Sequence, residues 1–523
     1  MAGNEHTLCA ANSLNAAPAP RSKALARAFL PATLLGFALV LALNGATVVD
    51  AWKLMPDNCY YMELARSLAA GEGYRYQGEP HTCFPPGWPL LLAIGMKAGL
   101  VSWWALRAVA AALAVLAAGA ASIVALPRLG RWGALAAAVL FGASPHLIVL
   151  GPLLYSDVAY TLWSLLALMG LSRLERSAEP KLLTAGLAGA CSSLAMLTRT
   201  VGAGLGVAGV IVLGLRVLRA REGRKRWVAA LAIYVGVAFV PVAAWGVRSA
   251  LVSPAGERTN RGVWMFADPY DFAAGRVDTA GLLERLGARA LAEASHLGQV
   301  LCGAACPMEA TTVVLLVLAV LVVPLTLKRF LRSSDVLGCY AILYFLTYSL
   351  WPFNEGTRFM LPLAPIVWTL VLETALSLPL PRRLVRALLS VAVLIVLGVS
   401  LAGSARVLPG VRSTGSPLGD GRIAESGALQ VGLYLRDKTP PQATFMTFPG
   451  TVEVEISGRK LIAADTTADA EVLYLQACRA DYIVARDSPR YSQAVLLAML
   501  RAHPEHFELV ASLGDRFVFR RRT

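Results

Sequence analysis

Charge is what this sequence has least of. Asp, Glu, Lys and Arg make up 15% of its 523 residues, and 56% are hydrophobic, where soluble domains carry roughly 25% charged residues. A chain so poor in charge cannot keep its surface in water, which excludes an ordinary soluble globular protein. Acid is the scarcer sign: 33 Asp and Glu stand against 48 Lys and Arg, a net charge of +15. That excess could suit nucleic acid, but much of it lies in short loops between apolar runs, as at Arg216 to Arg226, Lys328 to Arg332 and Arg382 to Arg386. Basic loops beside membrane spans set topology, so nucleic acid is set aside as a partner. No repeat of solenoid period is present, and low complexity is confined to Ala/Leu-rich runs. The outer-loop cysteines show no zinc-like grouping with histidine. Between Ile423 and Thr523 there is no grouping of acid, base and nucleophile, so that stretch is not expected to supply a catalytic group.

What the sequence does have is apolar runs of bilayer length, roughly 17–25 residues. They fall near 27–49, 103–126, 132–151, 157–174, 182–198, 201–219, 227–247, 310–327, 336–352, 359–378 and 385–404. The expected fold is therefore an α-helical polytopic membrane protein with about eleven spans. The first run is long for a signal peptide and is read as an uncleaved span; cleavage around Gly45 and Ala46 is the alternative. With a cytoplasmic N-terminal segment, 1–26, and alternate threading, the basic clusters fall on one side: Arg128 with Arg131, Arg173 to Lys181, and the three loops above. Two long loops, 50–102 and 248–309, and the tail then lie outside. The transmembrane region runs over 27–405, a turn-rich linker over 406–422, and a small extracytoplasmic α/β domain over 423–523. In that domain Ala443 to Phe448, Tyr482 to Arg486, Phe507 to Leu513 and Arg516 to Phe519 read as strands. Gly427 to Arg436, Ala468 to Cys478 and Ser492 to Ala502 read as helices.

The first outer loop carries the most chemistry. On a helix Asp57, Tyr61, Leu64 and Leu68 share one face, which makes an amphipathic segment suited to the bilayer surface. Gly71 and Gly73 end it, Tyr74 follows, and Pro85-Pro86-Gly87-Trp88-Pro89 forms a rigid turn into an apolar segment. Taken alone, Asp57 could equally be a helix cap.

As an ordered set these residues resemble a known family, the GT-C class of membrane glycosyltransferases, with its dolichyl-phosphate-mannose protein mannosyltransferases and bacterial aminoarabinose transferase-like relatives. The resemblance runs from Asp57, Tyr61, Ala65, Leu68, Gly71, Gly73 and Tyr74 through the proline turn. It continues with Ser144-Pro145, Ser156-Asp157, Thr198-Arg199, and Arg358-Phe359 with Pro362 and Pro365. It implies a sugar donor on a polyprenyl phosphate, and it makes Asp57 the loop aspartate that activates the acceptor. Relatives often carry a cation just before the proline pair; here Phe84 stands there, and His81 is the nearest basic residue.

Such a reaction needs a base for the acceptor hydroxyl and cations for the leaving phosphate. Asp57 is the candidate base. Asp157 starts a span after Tyr155 and Ser156; it is either functional, since an acid at membrane depth is costly, or merely favourable to the helix dipole, with Ser156 as cap. Arg199, Arg248 and Arg358 sit at outer ends of spans, against the usual bias; snorkelling is the plain alternative, and Glu355 beside Arg358 offers an ion pair. Tyr61, Tyr74 and His81 are candidate substrate contacts. His146 is more readily a satisfied core histidine than a site residue. His296 lies on an amphipathic stretch, 282–301, and Asp268-Pro269-Tyr270-Asp271 reads chiefly as a turn. Cys59 with Cys83, a pair that would tie the Asp57 helix to the proline turn, and Cys302 with Cys306, which could pair only in an irregular loop, are outer-side disulfide candidates. Cys191 and Cys339 are packing residues.

The expected function is inverting transfer of a sugar from a polyprenyl-phosphate donor to an acceptor hydroxyl on a lipid, glycan or protein, at the outer face of the cytoplasmic membrane. No cofactor is required, although Asp157 and Asp57 could hold a divalent cation. The competing reading is a transporter or flippase of lipid-linked sugars, and a third is a membrane scaffold whose C-terminal domain binds partners. The polar residues gather at one face rather than at the midplane, where transporter sites lie.

Overall fold

A computed structural model describes residues 20–253, 266–268, 271–303, 324, 327, 335–413, 422–464, 469–488 and 492–522. Apolar runs give helices because a helix satisfies its own backbone where no water can. In chain order these are α1 (Pro20–Gly45), α2 (Pro56–Ala70), α3 (Gly87–Lys97), α4 (Trp103–Gly142), α5 (Pro145–Leu150), α6 (Asp157–Glu175), α7 (Leu182–Thr198), α8 (Ala203–Arg219) and α9 (Arg224–Val252). Then come α10 (Thr279–Cys302), α11 (Val336–Leu350), α12 (Thr357–Met360), α13 (Ala364–Leu376) and α14 (Arg382–Arg412).

Among the described residues six helices are long and apolar enough to cross a membrane, and seven if the bent pair Pro145–Leu153 and Asp157–Glu175 is one span. Three more are apolar but shorter, Leu182–Thr198, Val336–Leu350 and, in the tail, Gln493–Ala502. The runs expected at 103–126 and 132–151 appear as two helices that meet at a kink, the second broken again after Gly142. They form α4, interrupted where Gly130 takes φ 68° and ψ −176°, followed by short helical pieces and a turn of 113° into α6. Glycine can take that conformation because it has no Cβ. The run at 310–327 lies almost wholly outside the described residues. The expected linker is also shorter than the sequence suggests: α14 continues to Arg412 through Pro409, and 414–421 lie outside the described residues.

Small residues let the helices approach closely. A Cβ on Gly142 would meet Val40 at 2.6 Å, and one on Gly189 would meet the Tyr234 carbonyl at 2.9 Å. Away from the loop that carries α2, half-buried Arg128 donates to Asp335 at 2.6 Å and to Glu373 at 3.1 Å, fastening α4 to α11 and α13.

The tail forms an α/β unit with helices α15 (Ser426–Lys438), α16 (Thr451–Ser457), α17 (Ala470–Ala477) and α18 (Gln493–Ala502). Its strands β7 (Thr444–Thr447), β8 (Lys460–Ala463), β9 (Tyr482–Arg486), β10 (Phe507–Leu513) and β11 (Arg516–Arg521) build a sheet in the order β10-β11-β9-β7-β8. The β7–β8 and β7–β9 pairs are parallel and the others antiparallel. The sequence reading lacked β8 and α16, which are too short to show a period. The earlier strands are pairs of short segments: β1 (Trp52–Lys53), β2 (Arg75–Tyr76) with β3 (Glu79–Pro80), β4 (Ala267–Asp268) with β5 (Asp271–Arg276), and β6 (Arg422–Ile423). Asp268 pairs with Asp271, and Pro269 and Tyr270, where a turn is expected, lie outside the described residues.

This tail unit is fastened to the loop that carries α2. Strand β1 pairs in parallel with β6, and Leu54 N donates to Ile423 O at 2.7 Å. Arg66 on α2 forks onto Glu455 of α16 at 2.8 and 3.0 Å, and Thr451 Oγ1 donates to Pro56 O at 3.1 Å. Gln77 reads the backbone of β8, accepting from Leu461 N at 3.0 Å.

Candidate active site

Helix α2 begins at Pro56, whose fixed φ suits a first helical position, and puts Asp57 in the first turn, where a carboxylate meets the helix dipole. Buried Asn58 locks that start. Its Oδ1 accepts from Met55 N at 2.9 Å, and its Nδ2 donates to Lys53 O at 2.9 Å and Leu153 O at 2.8 Å. The helix stops at Gly71, φ 82°, and its apolar face, Tyr61 and Leu64 included, is buried.

The segment facing it owes its shape to a break. Leu154 holds φ 58°, a conformation costly for a residue with a side chain. Its carbonyl accepts from Trp88 Nε1 of the proline turn at 2.7 Å, so the expected rigid turn is real, but it is the first turn of α3. Gly87 is needed there: a Cβ would lie 2.7 Å from Leu197 O and 2.8 Å from Thr198 Oγ1. The break delivers Tyr155, Ser156 and Asp157 in succession, and the same proline turn presses on the end of α7, which carries Arg199.

Four charged side chains converge at this point. Arg358 donates through Nη1 to Asp57 Oδ2 at 2.7 Å and through Nε to Asp157 Oδ2 at 3.0 Å. Arg199 Nη1 donates to Asp157 Oδ1 at 2.6 Å, and its Nη2 to Tyr348 OH at 3.0 Å. The Arg358 guanidinium lies 3.8 Å from the centre of the Tyr155 ring, a cation–π contact. Glu355 adds a third carboxylate, 3.5 Å from Arg358. Partial burial raises the Glu355 carboxyl above its ordinary range, with Arg358 pulling the other way and Asp57 adding to the rise. Ser156 does not cap α6 with its side chain; its Oγ lies 3.3 Å from Tyr61 OH and 3.4 Å from Arg199 Nη1. Burial, reinforced by Asp57, pushes the Tyr61 phenol well above its ordinary range, so it remains a hydroxyl.

The two aspartates differ in what they can do. The Asp157 side chain is 1% exposed, and both its oxygens are engaged by arginine, so it acts as a counter-charge that fixes Arg199 and Arg358. The Asp57 side chain is 32% exposed; Arg358 holds one oxygen, and the other accepts no hydrogen bond among the described residues. The arrangement presents a reachable carboxylate beside two fixed guanidinium groups, the pairing required for proton removal next to an anion.

Of the other sequence candidates, Arg248, Tyr74 and His81 form a second cluster. Arg248 donates to the backbone carbonyls of Tyr74, at 3.2 Å, and of His81, and stacks on Trp245 and Tyr74. The structure does not bring it to Arg199 and Arg358. Tyr74 OH donates to Phe84 O at 3.0 Å. His81 Nε2 accepts from Phe84 N at 3.0 Å, which ties the ring to the backbone ahead of the proline turn. Cys59 is buried and Cys83 exposed, and no disulfide joins them; the hydrogen bonds of Asn58 and Tyr74 take over the tethering expected of it. Cys302 closes a regular α10, and Cys306 lies outside the described residues. His146 Nε2 lies 3.2 Å from Gln299 O, a satisfied packing histidine, and His296 sits on α10 beside buried Glu293. Tyr348 and Asn58 were missed by the sequence reading. Each is one polar residue on an apolar or amphipathic helix, and no local signal separates it from packing.

Comparison with known proteins follows the same line. A family model described as dolichyl-phosphate-mannose-protein mannosyltransferase matches residues 84–245, a stretch that holds Asp157 and Arg199 but neither Asp57 nor Arg358. ArnT from Cupriavidus metallidurans, solved bound to undecaprenyl phosphate, is 14% identical, with 93% of this chain and 97% of that chain covered and a TM-score of 0.56. The oligosaccharyltransferase AglB from Archaeoglobus fulgidus, in complex with an inhibitory peptide and a dolichol-phosphate, is 13% identical, with 87% of this chain and 69% of that chain covered and a TM-score of 0.54. No curated protein matches. At such identities the likeness is one of fold: the chain resembles the GT-C class of membrane glycosyltransferases and is a multi-pass membrane protein.

Proposed function

We propose that this chain is a glycosyltransferase that moves a sugar from a polyprenyl-phosphate donor to an acceptor hydroxyl, with inversion at the anomeric carbon. One observation carries the reading: Arg358 bridges Asp57 and Asp157 at 2.7 and 3.0 Å, with Arg199 on the far oxygen of Asp157. A guanidinium so placed can exchange one carboxylate for a phosphate, to which it forks equally well. Donor binding would then draw Arg358 Nη1 onto the phosphate and free the reachable Asp57. Buried Asp157 would keep both arginines in position without competing for the acceptor proton.

In the reaction Asp57 takes the proton of the acceptor hydroxyl and the acceptor oxygen bonds to the anomeric carbon. The bond from that carbon to the phosphate oxygen breaks, its electrons leaving with the polyprenyl phosphate. Arg358 and Arg199 stabilise the charge as it develops. The step balances without a metal, because the arginines supply the positive charge. Tyr61 would meet the sugar as a neutral donor. Arg248, with Tyr74 and His81, would shape the loop over the site, and a phosphate contact for Arg248 would need it to leave those carbonyls. We further propose about eleven spans, a cytoplasmic N-terminus, and both the α2 loop and the tail unit on the outer face of the cytoplasmic membrane, from the basic-loop bias. Acceptors on lipid, glycan or protein all fit this chemistry.

The test is transfer of radiolabelled sugar from a polyprenyl-phosphate donor, by the purified protein in detergent, to envelope lipid, glycan and protein fractions. Label should appear in one fraction with inverted anomeric configuration. Movement of the donor across proteoliposomes with no transfer would establish the transporter reading instead.

A further inference from the structure

The transfer reaction uses nothing from the far edge of the tail unit, yet that edge carries a convergent set of ligand atoms. Helix α18 ends at Ala502, and residues 503–506, His-Pro-Glu-His, fold into a tight turn in which His506 N and Phe507 N both donate to His503 O, at 3.1 and 3.0 Å. The turn gathers one ligand atom each from His503, Glu505 and His506 within 4.8 Å of one another, half-buried at His503 and open to solvent at the other two.

Two of the three ligand spacings match those on a metal. His503 Nδ1 lies 3.0 Å and His506 Nδ1 3.4 Å from the same oxygen, Glu505 Oε1. Ligands on a tetrahedral zinc ion, at bonds of about 2.0–2.1 Å, stand about 3.3 Å apart. A second observation points the same way. His506 Nδ1 also lies 3.0 Å from Tyr474 OH, a hydroxyl able to donate to its lone pair, so that lone pair is aimed into the cluster. A cation would take that lone pair in place of the Tyr474 hydroxyl, which, or a water, could then be the fourth ligand. The Tyr474 ring, 4.9 Å from the His503 ring and 5.7 Å from that of His506, already holds both imidazoles in place.

We propose that His503, Glu505 and His506 form a binding site for a borderline divalent cation of the Zn²⁺ type, with Tyr474 beside it. Two imidazoles and one carboxylate suit zinc and its neighbours, whereas Mg²⁺ and Ca²⁺ demand mostly oxygen ligands. The site is structural: it joins α17 to the turn that opens β10, away from the carboxylates of the transfer site.

The experiment uses the full-length protein in detergent, without a polyhistidine tag. Zn²⁺ binding is measured by competition with a chromogenic chelator, in the parent and in the double variant His503→Gln/His506→Gln. The parent should hold one equivalent more than the variant, and excess Mg²⁺ should not displace it. Added Zn²⁺ should raise the Tm of the parent only. Because these side chains are largely exposed, the variant should fold, and an unchanged circular dichroism spectrum checks this. Glu505→Gln, a second and milder variant, should weaken the same equivalent. Equal zinc stoichiometry in parent and double variant, or loss of zinc to Mg²⁺, overturns the proposal.

Discussion

Asparagine at position 57 separates chemistry from architecture. It keeps the size of aspartate and caps helices about as well, but cannot take up a proton at neutral pH. The Asp57 side chain is 32% exposed and pairs with Arg358 through one oxygen, so losing its charge leaves no deeply buried cation unpaired; Asp157 still holds Arg358 at 3.0 Å. Asp57→Asn should therefore fold and melt within a degree or two of the parent, taking surface-type pairs at about 0–1 kcal/mol. Its kcat should fall by roughly 10²–10⁴ if Asp57 is the general base, which is about 2.7–5.4 kcal/mol of barrier. Asp157→Asn inverts the pattern. That carboxylate is 1% exposed and is shared by two arginines, and breaking a buried pair costs about 3–5 kcal/mol, so this variant should melt about 3–5 °C lower. Differential scanning fluorimetry and single-turnover transfer on both variants make the comparison. An Asp57→Asn enzyme with kcat within a few-fold of the parent would remove Asp57 from the chemistry, and one that melts as low as Asp157→Asn would make it structural.

Arg358→Lys should lower kcat or raise the KM for the donor, because a point charge cannot span Asp57, Asp157 and phosphate as a fork does; Arg358→Ala should be far worse, and normal donor kinetics in the alanine variant would pass the phosphate to Arg199. Glu455→Ala should reduce transfer roughly fivefold with donor affinity kept, since its pair with the 40%-exposed Arg66 is worth about 1 kcal/mol in holding α2; unchanged kcat would show that the tail does not position Asp57. For Glu355 the folded-state carboxyl titrates above its unfolded value, so the folded state binds the proton more readily and stability is lost as pH rises between the two values. Glu355→Gln should accordingly raise Tm at pH 7 and give no gain below the ordinary glutamate range; a gain of equal size at both would refute this.

Much of the candidate site was legible one residue at a time. Asp57 announced itself by a polar position on an amphipathic face ahead of two glycines, Asp157 by an acid at the start of a span, and Arg199 and Arg358 by positive charge where the topology bias disfavours it. Helix positions followed from runs of apolar residues, which a bilayer forces upon any chain. The strands of the tail followed where they were long enough to show alternation, and β8, at Lys460–Ala463, did not.

What the sequence by itself determined is thus local: which segments are apolar, where helices can start and stop, and which polar residues stand out against them. Only the tertiary structure decided who meets whom. Arg358 reaches Asp57 across 301 positions and Asp157 across 201, and Arg66 reaches Glu455 across 389. Periodicity carries no record of such separations. The strained turn at Leu154, the close approach at Gly87 and the docking of the tail on α2 bring these groups together. The same physics sent Arg248, chosen on equal grounds, to the carbonyls of Tyr74 and His81 instead. An arginine at a span end must find oxygen somewhere, and packing, not sequence, selects whether that oxygen belongs to a carboxylate of the site or to the backbone of a loop.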